Sequence, residues 1–274
     1  MEETKAMAAE SGRPAPYLAV EALSAGYNRV PIVHGVSVQV GLGEVALVMG
    51  PNGAGKSTLI KAITGELVAL EGRIELDGRD ITHLREEERH DAGIGYLPQV
   101  RDVFGPLTVG ENLEMGGYQL TKKQFSERQA EVFELFPQLP PLRRRLARTL
   151  SGGERKMLGI GRALMAHPTL MVLDERTAGL APGIARSVLR DIVGQLARSG
   201  RAVLLIEQRV SLGLEVSSWG YVLIDGRLRL AESSADLRAR PDLATLFLGQ
   251  GGATMAGATR AGERSPDGLA KGAR

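Results

Sequence analysis

Gly50-Pro51-Asn52-Gly53-Ala54-Gly55-Lys56-Ser57 is a G-x-x-x-x-G-K-S stretch. Its glycines let the main chain curl until successive N–H groups face one point, and the helix start that follows adds its positive dipole end. Such a point collects phosphate oxygens. Lys56 supplies a cation for the β and γ oxygens of a triphosphate, and Ser57, followed by Thr58, offers a hydroxyl to Mg²⁺. The spacing requires a strand before it and a helix after it. The apolar run Val45–Met49 and the segment Thr58–Ile63 meet that requirement.

Two further groupings carry chemistry. Met171-Val172-Leu173-Asp174-Glu175 sets two carboxylates at the carboxyl end of an apolar strand, the edge at which parallel sheets bind ligands. Asp174 suits the shell of a metal ion. Glu175, one position on, suits orienting or deprotonating an attacking water. Leu150-Ser151-Gly152-Gly153-Glu154 precedes the helical run Arg155–Met165, which puts Ser151 at an N-cap and makes the glycines a close-approach surface for a second anion. A bare S-x-x-E is no more than a capping box; the order in which these three groupings follow one another is what adds meaning.

The elements that must position them read as α/β. Leu18–Leu23, Val36–Val40, Val45–Met49 and Gly72–Leu76 have strand length and patterning, with turns at Gly41–Gly43 and Asp77-Gly78. From about Thr108 to His167 the apolar spacing is helical, interrupted at Pro137 and Pro140-Pro141. Leu170–Leu173, a helix over Gly183–Ser199 and Ala202–Ile206 then form a strand–helix–strand unit, followed by Tyr221–Ile224 and a hairpin at Asp225-Gly226. The frame is a mostly parallel sheet with an antiparallel β portion before it and a helical insertion at about 100–167. Residues 1–16 and 250–274, rich in Gly, Ala, Ser, Arg and Pro without periodicity, are expected to be disordered tails flanking a folded region at 17–249.

Composition narrows the class. The 274 residues are 43% hydrophobic and 24% charged, with a formal net charge of +2, which is globular and gives no basic stripe for nucleic acid. Arg143-Arg144-Arg145 reads as a solvated helix face. The chain has no cysteine, which excludes disulfides and thiolate metal sites. Its start is acidic without an apolar core, and no stretch approaches the ~20 apolar residues that span a bilayer.

The loop at Gly50–Ser57, a glutamine in Tyr96-Leu97-Pro98-Gln99, Leu-Ser-Gly-Gly-Glu154 and Leu-Asp-Glu175, in that order over roughly residues 17–249, resemble the ATP-binding subunit of an ABC transporter. The resemblance implies a P-loop NTPase core that binds ATP and Mg²⁺ and hydrolyses ATP. It implies head-to-tail pairing with a second ATPase subunit, identical or sister, so that Ser151 and Gly153 act on the nucleotide of the other chain. Tyr27, in Ala25-Gly26-Tyr27, matches the aromatic that stacks on adenine. Gln99 matches the residue joining Mg²⁺ and attacking water to the membrane partner, and Gln208 occupies the switch position, where its amide can bond a γ-phosphate but cannot titrate.

Leu113–Gly117, Met157–Met165, Ala178–Pro182, Ile206–Gln208, Gly220–Leu223 and the Leu-Phe-Leu-Gly249 ending are similar to the second, shorter ATPase subunit of branched-chain amino-acid importers. That likeness implies permease partners in the membrane, an extracytoplasmic amino-acid-binding protein beyond them, and a peripheral place on the cytoplasmic face. Urea and short-amide importers share much of the pattern. The chain departs from it at Arg176, where most members have proline, and at Arg209, Ser217, Ser218 and Trp219. A guanidinium paired with Glu175 would favour its carboxylate form and lower its basicity, whereas one pointing to solvent would do nothing; the first alternative makes a nucleotide-gated subunit with impaired hydrolysis the competing reading. A mechanical ATPase on DNA or ribosomes is disfavoured by the absence of coiled-coil heptads, a second cassette or a basic stripe.

Overall fold

The structure, a computed structural model, describes residues 13, 15–98, 103–174 and 182–248. They fall into two units divided between Arg240 and Pro241. In chain order the first unit runs β1 (Pro16–Tyr27), β2 (Val30–Gly41), β3 (Val45–Met49), α1 (Lys56–Thr64), β4 (Ala69–Leu76), β5 (Arg79–Asp80), α2 (Glu86–Asp91), β6 (Ile94–Leu97), α3 (Val109–Gly116), α4 (Lys122–Leu135) and α5 (Gly152–Leu164). It continues with β7 (Leu170–Asp174), α6 (Pro182–Arg198), β8 (Ala202–Ile206), α7 (Val210–Val216), β9 (Trp219–Ile224), β10 (Arg227–Ser233) and α8 (Ser234–Ala239). The second unit holds α9 (Leu243–Leu248).

A six-stranded sheet of order β10-β9-β3-β8-β7-β6 is parallel except for β10. Every residue of β3, β7 and β8 is buried, and all but Asp174 are apolar, as parallel strands covered on both faces require. Val48 pairs with Ile206, and Asp174 with the same Ile206. The carboxyl ends of β3, β8 and β7 therefore finish level on one edge. That register is what builds the site.

The second sheet, β2-β1-β4-β5, is antiparallel. Its first two strands are longer than the sequence suggests, running 16–27 and 30–41, joined by Asn28-Arg29 with φ of 52° and 61°. Two successive positive φ values are the geometry of a type I′ hairpin turn. Register shifts break the strands' alternation, with Ala22 and Gly35 also at positive φ, which is why only short runs stand out in the sequence. The second turn, Asp225-Gly226, also has two positive φ values and joins β9 to β10 as expected.

Between the adjacent strands β6 and β7 stand the helices α3, α4 and α5, opened by capping boxes at Thr108/Glu111, Thr121/Gln124 and Ser151/Glu154. Val132, Phe136, Leu139 and Leu158 are fully buried among them.

Arg13, in the stretch expected to be a tail, is anchored to the core. It donates to both Glu44 carboxylate oxygens at 3.0 and 3.2 Å, to the Tyr221 hydroxyl at 3.0 Å and to the Gln39 carbonyl at 2.8 Å. Its guanidinium lies 4.3 Å from the centre of the Trp219 ring, a cation–π distance. Trp219, one of the departures from the resembled family, thus has a partner in Arg13. Burial pushes the Tyr221 hydroxyl's pKa up, and the neighbouring Arg13 opposes the rise.

Candidate functional site

The chain leaves β3 at Met49 and turns back at once, with Ala54 N–H bonding the Pro51 carbonyl at 3.2 Å. Gly53 and Gly55 have φ of +81° and +97°, a region open to glycine and strained for other residues. Gly50 is required for a different reason: a Cβ there would lie 2.1 Å from the Leu223 carbonyl oxygen on β9. Gly226 N–H in turn bonds the Ala54 carbonyl at 3.0 Å, so the β9–β10 turn holds the loop from outside. Gly50→Ala is expected to destabilise the protein by about 1–3 kcal/mol, the usual cost of overpacking, together with weaker ATP binding. Urea denaturation and a nucleotide titration check the two effects.

At the loop's end Gly55 caps α1 in a left-handed conformation with no side-chain cap. The N–H groups of the first turn are thereby left to face whatever approaches the helix start. Lys56 is only 6% exposed, and its ammonium reaches back across the loop to the carbonyls of Gly50 at 2.8 Å and Pro51 at 2.9 Å. Ser57, Asn52 and Gly53 are exposed, while Ala54 and Thr58 are buried. An uncapped helix start, a curled loop with an exposed Gly53 and a buried ammonium suit a phosphate chain.

The neighbouring strand ends complete this edge. Asp174 closes β7 and is 8% exposed. Gln208 is the second residue after β8 and is exposed, and its carbonyl accepts from Val210 N–H at the start of α7. Between them in sequence, the fully buried Glu207 has an N–H bonded to the Val48 carbonyl of β3, an acid that the sequence does not single out. Among the described residues no three of His, Cys, Asp or Glu cluster as a metal site. Asp174 offers one carboxylate and Ser57 one hydroxyl, oxygen donors of the kind Mg²⁺ takes.

Tyr27 sits at the tip of the β1–β2 hairpin and is 45% exposed. The preceding Gly26 leaves no room for a side chain, since a Cβ would lie 1.9 Å from the Val30 carbonyl oxygen. Ser151, Gly152, Gly153 and Glu154 lie on another element, the start of α5. Ser151 N–H donates to the Glu154 carboxylate at 2.8 Å, and Glu154 N–H donates to the Ser151 hydroxyl at 3.3 Å. The main-chain bond from Ser151 holds the Glu154 carboxyl below its ordinary pKa, so the box is intact at neutral pH. Both Ser151 and Gly152 are exposed. Gln99 and Glu175, with Arg176, lie outside the described residues.

The structure thus brings the Gly50–Ser57 loop, Asp174 and Gln208 to one edge, and sets Tyr27 and the Ser151 helix start on separate exposed elements. Among the described residues, no helix is long and apolar enough to cross a membrane.

Comparison with known proteins gives matching results. The family model for the ABC transporter matches residues 33–178. The high-affinity branched-chain amino acid transport ATP-binding protein BraG of Pseudomonas aeruginosa is 39% identical over 232 residues, covering 85% of this chain and 99% of its own. The lipopolysaccharide export system ATP-binding protein LptB of Haemophilus influenzae is 35% identical over 237 residues, covering 85% and 97%. Among solved structures, the ADP conformation of MJ1267, an ATP-binding cassette of an ABC transporter, superposes with a TM-score of 0.78 at 31% identity, covering 86% of this chain and all of that one.

Proposed function

Since the chain belongs to the ABC transporter ATP-binding family, we propose that this ATPase energises an importer of branched-chain amino acids through permeases in the membrane. The observation that carries the chemistry is the level finish of β3, β8 and β7, which puts the Lys56 loop, Gln208 and Asp174 on one edge. The cargo reading rests on the likeness to BraG, together with Gln208 at the switch position.

In this reading the main-chain N–H groups of residues 53–58 bind the β-phosphate and Lys56 holds the β and γ oxygens. Ser57, Asp174 and Gln99 hold Mg²⁺, which neutralises charge on the phosphates when bound. Glu175 accepts the proton of the attacking water, and Gln208 donates its amide to the γ-phosphate. Tyr27 stacks on adenine. Ser151 and Gly153, at the start of α5, meet the γ-phosphate of a second ATPase chain, so ATP closes a pair and hydrolysis opens it. Catalysis here is positioning and charge stabilisation, with no covalent intermediate on the protein. The pair sits on the cytoplasmic face of the membrane, and its motion passes to the permeases and through them to an extracytoplasmic binding protein.

The test is uptake into proteoliposomes holding this chain, its sister ATPase, candidate permeases and the binding protein, with ATP inside. ATP-driven accumulation of leucine, isoleucine or valine is expected. Accumulation of urea or a short amide in their place would overturn the cargo and leave the ATPase reading intact.

A further inference from the structure

Arg89, on α2, is 1% exposed, and it lies behind the phosphate helix rather than at its front. Its Nε donates to the Leu84 carbonyl at 2.9 Å. One terminal nitrogen donates to the carbonyls of Ile63, at 2.8 Å, and Ala62, and the other to that of Thr82 at 2.7 Å. All four acceptors are main-chain oxygens.

Ala62 and Ile63 form the last turn of α1, where a helix has carbonyls without intrahelical partners. The chain breaks away there at Gly65, whose φ is +91° and whose N–H, like that of Leu67, bonds Lys61. Arg89 therefore supplies donors that the helix's own ladder does not, and sets a cation at the negative end of its dipole. Burial draws the guanidinium pKa below its ordinary value and the Asp80 carboxylate opposes that; arginine stays charged at neutral pH all the same. A buried charge is a costly way to fill space that an apolar side chain would fill. What the planar fork adds is direction, because it locks the end of α1 and the segment leading into α2 at fixed angles.

Those pieces are informative. Thr82 and Leu84 lie between β5 and α2, and α2 leads through Gly93 into β6, which pairs with β7 and so with the strand that ends at Asp174. A cleft of about 540 Å³, lined by Lys61, Thr64, Glu66, Glu86, His90 and Tyr96 among others, runs beside the junction. α1 is nine residues long, about 13 Å at 1.5 Å per residue. Over that length a tilt at the rear is carried to Lys56 and Ser57 at the front.

From this geometry we infer that Arg89 is a positioning residue for ATP hydrolysis: it fixes the rear of α1 against the Thr82–Arg89 segment so that the helix's first turn meets the phosphates in reacting register. The inference rests on α1 being the phosphate helix.

The experiment compares wild type with Arg89→Lys, which keeps the charge and loses the fork, and with Gly65→Ala, whose Cβ meets the Glu86 nitrogen at 2.8 Å and shifts the same junction with Arg89 intact. Fluorescent-nucleotide titration gives affinity, steady-state assay gives kcat, and circular dichroism with bound nucleotide per chain gives the folded fraction. Misplacement costs the transition state more than the ground state. For both variants the expected result, per folded chain, is ATP affinity within about threefold of wild type and kcat lower by about tenfold. Lower thermal stability with kcat and KM unchanged per folded chain would make Arg89 merely structural and overturn the inference. If Arg89→Lys is not recovered folded, Gly65→Ala decides by the same readouts. Wild-type hydrolysis at background would overturn the ATPase reading itself, and this inference with it.

Discussion

Alanine in place of Lys56 is expected to leave the fold intact and to weaken ATP binding by about 30- to 150-fold. Lys56 is almost fully buried and its ammonium is held 2.8 and 2.9 Å from two loop carbonyls, so it is pre-set within the loop rather than recruited from solvent. A hydrogen bond to a charged group contributes about 1.5–3 kcal/mol, and two or more such contacts to phosphate oxygens place the loss at the upper part of that range. At 1.4 kcal/mol per tenfold, 2–3 kcal/mol is the stated factor. Calorimetric titration with ATP measures it, and circular dichroism checks the fold. Affinity within threefold of wild type would remove Lys56 from the phosphate site.

Glu175→Gln is expected to act on the other half of the reaction. ATP binding should persist within a few-fold, while single-turnover hydrolysis should fall by about 100-fold or more, since a positioned general base contributes about 10²–10⁴. Glutamine keeps the shape of the side chain and its hydrogen bonding to water, and loses only the ability to take the proton. With hydrolysis stopped, the pair that ATP closes should persist, so sedimentation in ATP and Mg²⁺ should show a complex with the partner ATPase that wild type forms only transiently. Normal hydrolysis by Glu175→Gln would move the base elsewhere.

The parts of the site legible in the sequence are those whose cause is local. A strand buried on both faces, such as Val45–Met49 or Leu170–Leu173, writes itself as an unbroken apolar run, and the glycine pattern between strand and helix is dictated by curling one tight loop at positive φ. The long hairpin is different. Bulges at Ala22 and Gly35 break its period of two, and Asn28-Arg29 turns the chain without the glycine that marks most such turns. Its tip, Tyr27, was legible only by resemblance.

Arg13 and Arg89 were not legible at all. Arg13 finds its partners 26 to 208 residues away, and Arg89 bonds carbonyls, groups every residue carries and no sequence distinguishes. Gly213 shows the same limit on a smaller scale: a Cβ there would press on Leu47 at 2.8 Å, a contact fixed by the packing of α7 on β3. Trp219 owes its place to the Arg13 guanidinium against its ring, a contact 206 residues apart in sequence.

The measurement that bears most directly on the central claim is the steady-state rate of ATP hydrolysis by the purified chain, alone and with a candidate partner ATPase, beside Arg176→Pro. Arg176 follows Glu175, the proposed base, where most members of the resembled family have proline. A working motor hydrolyses ATP as wild type, and Arg176→Pro changes its rate by no more than about threefold, less than the 1.4 kcal/mol that a tenfold change represents. ATP binding with background hydrolysis in wild type, restored by Arg176→Pro, would contradict the account and make the chain the nucleotide-gated half of an asymmetric pair.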